Sequence, residues 1–165
     1  MSQAQIPPPP GPVLADTIVH TQDGRRVGWR LPDDPSALRD LRIALRRVLA
    51  DWPADPVDLE IIALAVIELT CQCLREGAGA CEVYLSREDA SPAGEREGRE
   101  RGVLVMVSSD GPARSVPVMA GTTPADRSAG EGLGLVRVYA RDWGRRDSGT
   151  GVSYWARLAL PPQAA

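Results

Sequence analysis

Three groups of residues in this chain have the types and spacing to do chemistry. Glu68 and Gln72 stand four residues apart in an apolar run, so a helix there projects a carboxylate and an amide from one face. An ionisable side chain in so apolar a stretch is costly unless it is paired or belongs to a site. Ser109-Asp110-Gly111-Pro112 closes a β-like run and offers a hydroxyl and a carboxylate beside a glycine turn. Gly130-Glu131-Gly132-Leu133-Gly134 precedes an apolar helical stretch. Glycines let the backbone approach phosphate oxygens, and a following helix start favours negative charge. Together the three groups suit a nucleotide phosphate. The glycine run alone is also what a tight loop would use, and Glu68 with Gln72 could be a buried pair bonded to each other.

Composition removes other chemistries. All 19 basic residues are arginine, which excludes a phosphate-binding lysine, a Schiff base and a lysine general base. His20 is the one histidine and has no nucleophile motif beside it, so a Ser–His–Asp arrangement is not expected. Cys71, Cys73 and Cys81 do not have zinc-ligand spacing. The net charge of −3 and the interleaving of arginines with acids point away from nucleic acid and from an anionic membrane surface. No apolar run approaches the roughly 18 residues that span a bilayer. The expectation is a cytoplasmic protein.

These groups must be held by a fold that the patterning outlines. The chain has 165 residues and 43% apolar residues, enough for one domain with a sizeable core. Residues 1–12, with Pro7–Pro10 and Pro12, suggest a flexible polyproline II-like tail. The expected domain covers 13–160, opening with a hairpin extension over 13–30, and 161–165 is a second tail. Thr17–Thr21 and Arg26–Leu31 flank Gln22-Asp23-Gly24, a hairpin signal. Asp34 or Ser36 can cap a helix running to Ala50, with Leu38, Leu41, Leu45, Val48 and Leu49 on one face and Arg39, Arg42, Arg46 and Arg47 on the other. A second helix is expected from about Pro56 to Arg75. Its middle, Ile61–Leu69, is apolar nearly all round and predicts burial between layers. Cys81–Arg87 and Gly102–Ser108 pattern as strands around a long solvated loop. Asp110–Ala129 is a turn-rich connection, long enough to suggest function. Leu135–Asp142 patterns as a helix, and Trp143–Arg146 with Gly151–Leu160 as a closing strand pair.

The chemistry-bearing groups do not stand alone. Leu31-Pro32-Asp33-Asp34-Pro35 leads into an Arg-rich helix, and Val66-Ile67-Glu68-Leu69 lies in the second. After the 130–134 turn come Tyr139-Ala140-Arg141-Asp142-Trp143-Gly144 and Tyr154-Trp155-Ala156-Arg157-Leu158. With these motifs, about residues 30–160 resemble the GHKL ATPase superfamily, and within it the small proteins related to anti-sigma factor serine kinases. The resemblance implies an α+β, two-layer Bergerat-type fold: a mixed, mainly antiparallel sheet with helices on one face. It implies ATP with Mg²⁺ between helices and a mobile lid. Glu68 matches the catalytic Glu that polarises the attacking hydroxyl or water. Gln72 falls where the family has the Asn that holds Mg²⁺, and the longer arm puts that contact in doubt. Ser109 falls where an Asp binds the adenine amino group. Asp110 comes one residue late, so on a regular strand it points to the other face. Gly111 follows in the same motif. Gly130, Gly132, Leu133 and Gly134 match the phosphate-covering loop.

The departures at Gln72 and Ser109 favour a regulator of the anti-sigma type that works by protein–protein contact, with weak or absent ATP binding. Its partner would be a sigma factor or an anti-sigma antagonist. The alternative is an active serine/threonine kinase that uses Glu68 as base and phosphorylates an antagonist. A third reading is an interaction module whose nucleotide cleft is filled by side chains. Family members often dimerise, which allows a homodimer.

Overall fold

The structure is a computed structural model that describes residues 17–20, 24–34, 36–77, 79–88, 101–111 and 133–161. The Pro-rich tail, the expected loop over 89–100, and the 112–132 segment with Gly130 and Gly132 lie outside the described residues.

The alternating strands and amphipathic helices assemble as the patterning predicts, into an α+β sandwich of two layers. Strands β1 (Thr17–His20), β2 (Arg26–Leu31), β3 (Cys81–Glu88), β4 (Gly102–Asp110), β5 (Ala140–Asp147) and β6 (Gly151–Ala159) form one sheet in the order β1-β2-β3-β4-β6-β5. Among the described residues all five pairings are antiparallel, where a mixed sheet was expected. The N-terminal hairpin is continuous with this sheet, because all six residues of β2 pair with β3.

Helices α1 (Ser36–Ala50), α2 (Pro56–Glu76) and α3 (Gly134–Tyr139) supply the second layer. Asp34 accepts the Ser36 amide at 2.8 Å and starts α1. Asp55 accepts the Val57 amide at 2.9 Å and caps α2, with Pro56 in the first turn, where a missing N–H costs nothing. α2 lies across β3, β4 and β6, with α1 on its flank and α3 at its side. Ile62, Val66, Leu69 and Cys73 of α2 meet the inward residues of the strands, among them Val83, Val105, Val107 and Tyr154. Leu41, Leu45 and Leu49 of α1 complete this core. At the far end, Trp52 Nε1 donates to the Gly24 carbonyl at 3.1 Å, joining the α1–α2 turn to the hairpin.

Two expectations need correction. α3 stops at Tyr139, and Ala140–Asp147 is a strand, so Arg141 and Asp142 leave the helix expected there. The pull is tertiary: Ala140 already pairs with Leu158, and Asp142 pairs with Arg157 after a register shift. The all-round apolar stretch of α2 is also not wholly buried. Leu64 remains 44% exposed, because α1 and α3 flank that face without closing over it. Among the described residues no helix is long and apolar enough to cross a membrane.

Candidate functional site

Glu68 is brought to the start of α3. Its Oε1 accepts the Leu135 amide at 3.2 Å and its Oε2 the Val136 amide at 3.1 Å. A carboxylate there satisfies donors that a helix start leaves without intrahelical partners. Leu133 precedes the helix with its side chain in the core, 1% exposed, and its carbonyl accepts the Arg137 amide at 2.9 Å. A Cβ on Gly134 would meet nothing within 4 Å, so no contact among the described residues demands glycine there.

Gln72 is not bonded to Glu68, which corrects the mutual pairing considered from spacing. Its Nε2 donates to Glu76 Oε1 at 2.9 Å, and its Oε1 accepts from Arg75 at 2.9 Å. The other Glu76 oxygen accepts from Arg145 Nε on β5 at 2.7 Å. The Tyr154 hydroxyl, fully buried on β6, faces the same carboxylate but makes no hydrogen bond of good geometry. Burial alone would push the Glu76 carboxyl up. The Tyr154 hydroxyl, the Arg145 guanidinium and the Gln72 amide overcome this and hold it below the ordinary carboxylate range. Burial and the neighbouring Glu76 push the Tyr154 phenol up.

Ser109 and Asp110 part company at the end of β4. The ladder to β3 and β6 is regular through both residues, so they face opposite ways. Ser109 points toward the helices, is 5% exposed, and lies so close to Gly77 that any side chain there would collide with it. Its hydroxyl has no hydrogen-bond partner. Asp110 points to the outer face, where Oδ2 accepts from Arg30 at 2.8 Å. Gly111 follows with φ of +91°, a left-handed conformation that suits glycine.

A groove of about 680 Å³ opens between α1, α2 and Leu135. Leu38, Leu64, Ile67 and Leu74 give it an apolar lining, with Arg42 and Arg75 among its polar residues. Its size is that of many small-ligand sites. Among the described site residues that were expected, only Glu68 lines it; Gln72, Ser109, Asp110, Gly111, Leu133 and Gly134 do not. The described residues therefore do not gather these side chains into one open site. The described residues do not fit an ATP–Mg²⁺ site of the expected kind. Glu68 is held by α3, the Gln72 amide by Glu76 and Arg75, and the Asp110 carboxylate faces away.

Glu76 and Arg145 are not among the candidates the sequence offers, and Tyr154 enters only as the first residue of a strand motif. Glu76 carried a faint signal, standing four residues after Gln72 on the Glu68 face of α2. Arg145 lies among other arginines, and the alternating strand around Tyr154 gives its hydroxyl no partner. Comparison with models of known families finds no match, and no curated protein matches the chain.

Proposed function

We propose that this chain is a GHKL-type regulatory protein of the anti-sigma kind that acts by binding another protein, with weak or absent ATP binding. One observation carries the reading: the Glu68 and Gln72 side chains are engaged with the chain itself. Both Glu68 oxygens are bonded to α3 amides, and both ends of the Gln72 amide are bonded on α2. Arg145 and Tyr154 pack against the Gln72–Glu76 pair, an arrangement that favours the third reading, an interaction module whose cleft is filled by side chains. A Bergerat-type arrangement in the cytoplasm belongs to the same proposal. The sigma-factor or antagonist partner comes from the resemblance in the motifs, and a homodimer is compatible with it.

Calorimetric titration with ATP, with and without Mg²⁺, tests the reading. Weak or undetectable binding that is indifferent to Mg²⁺ is expected. Tight, Mg²⁺-dependent binding that Glu68→Ala abolishes would overturn it. Transfer of labelled phosphate from ATP to a co-encoded antagonist would favour the kinase instead.

A further inference from the structure

The face of the sheet turned away from the helices carries a row of side chains that the nucleotide reading leaves unused. The register aligns Gly28, Tyr84, Met106, Trp155 and Gly144 across β2, β3, β4, β6 and β5. A Cβ on Gly28 would lie 2.7 Å from Tyr84 Cδ1, and one on Gly144 would lie 2.7 Å from Trp155 Nε1. The two rings therefore lie outward over the glycines and leave Met106, 42% exposed, as the floor of a trough between them. The flanking charges are largely matched within the sheet. Arg30 pairs with Asp110 at 2.8 Å and Glu82 at 3.7 Å on one side, and Arg157 pairs with Glu88 at 3.6 Å on the other. Such a trough suits an uncharged, apolar occupant.

The chain supplies one. Ile6-Pro7-Pro8-Pro9-Pro10-Gly11-Pro12 is uncharged and precedes β1, whose Val19 pairs with Gly28 at the Tyr84 end of the row. Proline lacks an N–H, so such a run can cross a sheet face without leaving backbone donors unpaired. Polyproline II segments are recognised by aromatic-lined grooves because they are already ordered. The lengths agree. Rings leaning from β3 over β2 and from β6 over β5 lie between two and four strand spacings apart, roughly 9.5 to 19 Å. Six residues of polyproline II span about 19 Å. Residues 13–16 reach at most about 14 Å, ample to carry the run from the β1 edge onto the Tyr84 ring. We propose that the Pro7–Pro12 segment of this same chain docks across the Tyr84–Met106–Trp155 trough.

Methionine-methyl NMR on the full chain tests this, because Met106 is one of three methionines. Replacing Pro7, Pro8, Pro9 and Pro10 by serine should shift the Met106 methyl resonance, equally at high and low protein concentration. With 5-fluorotryptophan, the Trp155 signal should move and that of Trp29, on the opposite face, should not. In a Trp155→Leu background the Met106 response to the serine substitutions should be lost. A Met106 resonance indifferent to the prolines would overturn the proposal. So would a change that disappears on dilution, which would make a second copy the occupant. The serine substitutions lie ahead of the strands, so the test stands even if Trp155→Leu unfolds the chain. It is independent of whether ATP binds.

Discussion

The carboxylate of Glu68 spans the first amides of α3, with Oε1 3.2 Å from Leu135 N and Oε2 3.1 Å from Val136 N. α3 has only six residues and no side-chain cap of its own at Leu133, so this contact from α2 stands in for a cap. Glu68→Ala is expected to lower stability by about 1–3 kcal/mol, the range of a cap and of hydrogen bonds to a charged group. Amide exchange at Leu135 and Val136 should accelerate before that at Leu69. A side chain kept only as a catalytic base would give no such loss when removed. Unchanged denaturant midpoints for Glu68→Ala would therefore contradict the capping role.

Glu76 sets the acid response. The contacts with Arg145, Gln72 and Tyr154 hold its carboxyl below its ordinary 4.5 in the folded chain. A depressed folded-state value stabilises the fold above the unfolded value, and that stability is lost as pH falls through the folded value. Urea midpoints of the wild type should therefore decline below about pH 4.5, in part through Glu76. Glu76→Gln should be less stable at pH 7, by about 1–3 kcal/mol for the lost charged hydrogen bonds. It should also show a flatter acid limb. Parallel pH profiles for the two proteins would remove Glu76 from this role.

The elements were more legible than the site. Period-2 and helical patterns outline β2, β3, β4, β6, α1 and α2, because each buries one face against the other layer. The boundary between α3 and β5 was not legible. Tyr139, Ala140 and Arg141 suit a helix locally, and the pairing of Ala140 with Leu158 decides otherwise. The site divides along the same line. That Asp110 faces away from Ser109 follows from strand alternation alone. The partners of Glu68 did not follow, since the α3 amides lie 67 and 68 residues away, and neither did Arg145, which reaches Glu76 from 69 residues along the chain. Side-chain spacing on one helix gives a shared face but says nothing of what crosses to meet it.

Ser109 offers a direct check on the nucleotide position. Placing there the acid that the resemblance implies, by Ser109→Asp, would put a carboxylate at a buried point against Gly77, beside Cys73 and Cys81, with no cation bonded there. An unpaired buried charge costs several kcal/mol. The variant is expected to lose about 3–5 kcal/mol in urea unfolding and to gain no ATP affinity. Ser109→Ala, which removes a hydroxyl already without a partner, should be close to neutral. A stable Ser109→Asp protein that binds ATP would overturn the proposal of weak or absent ATP binding.

The outer face can be probed through Gly144 and Trp155. A Cβ at Gly144 would lie 2.7 Å from Trp155 Nε1, and the next nearest atoms also belong to the indole. The conflict is therefore with one ring, and the backbone is not party to it. Alanine is otherwise no worse than glycine in a strand interior, where glycine itself is destabilising. Gly144→Ala should cost about 1–3 kcal/mol, because the ring must leave the surface it covers. In a Trp155→Ser background the same substitution should be neutral or slightly stabilising. The difference between the two backgrounds is the coupling energy of a double-mutant cycle, expected at about 1–2 kcal/mol. Equal costs in both backgrounds would mean that the indole does not rest on Gly144, and the trough with Met106 as its floor would lose one wall.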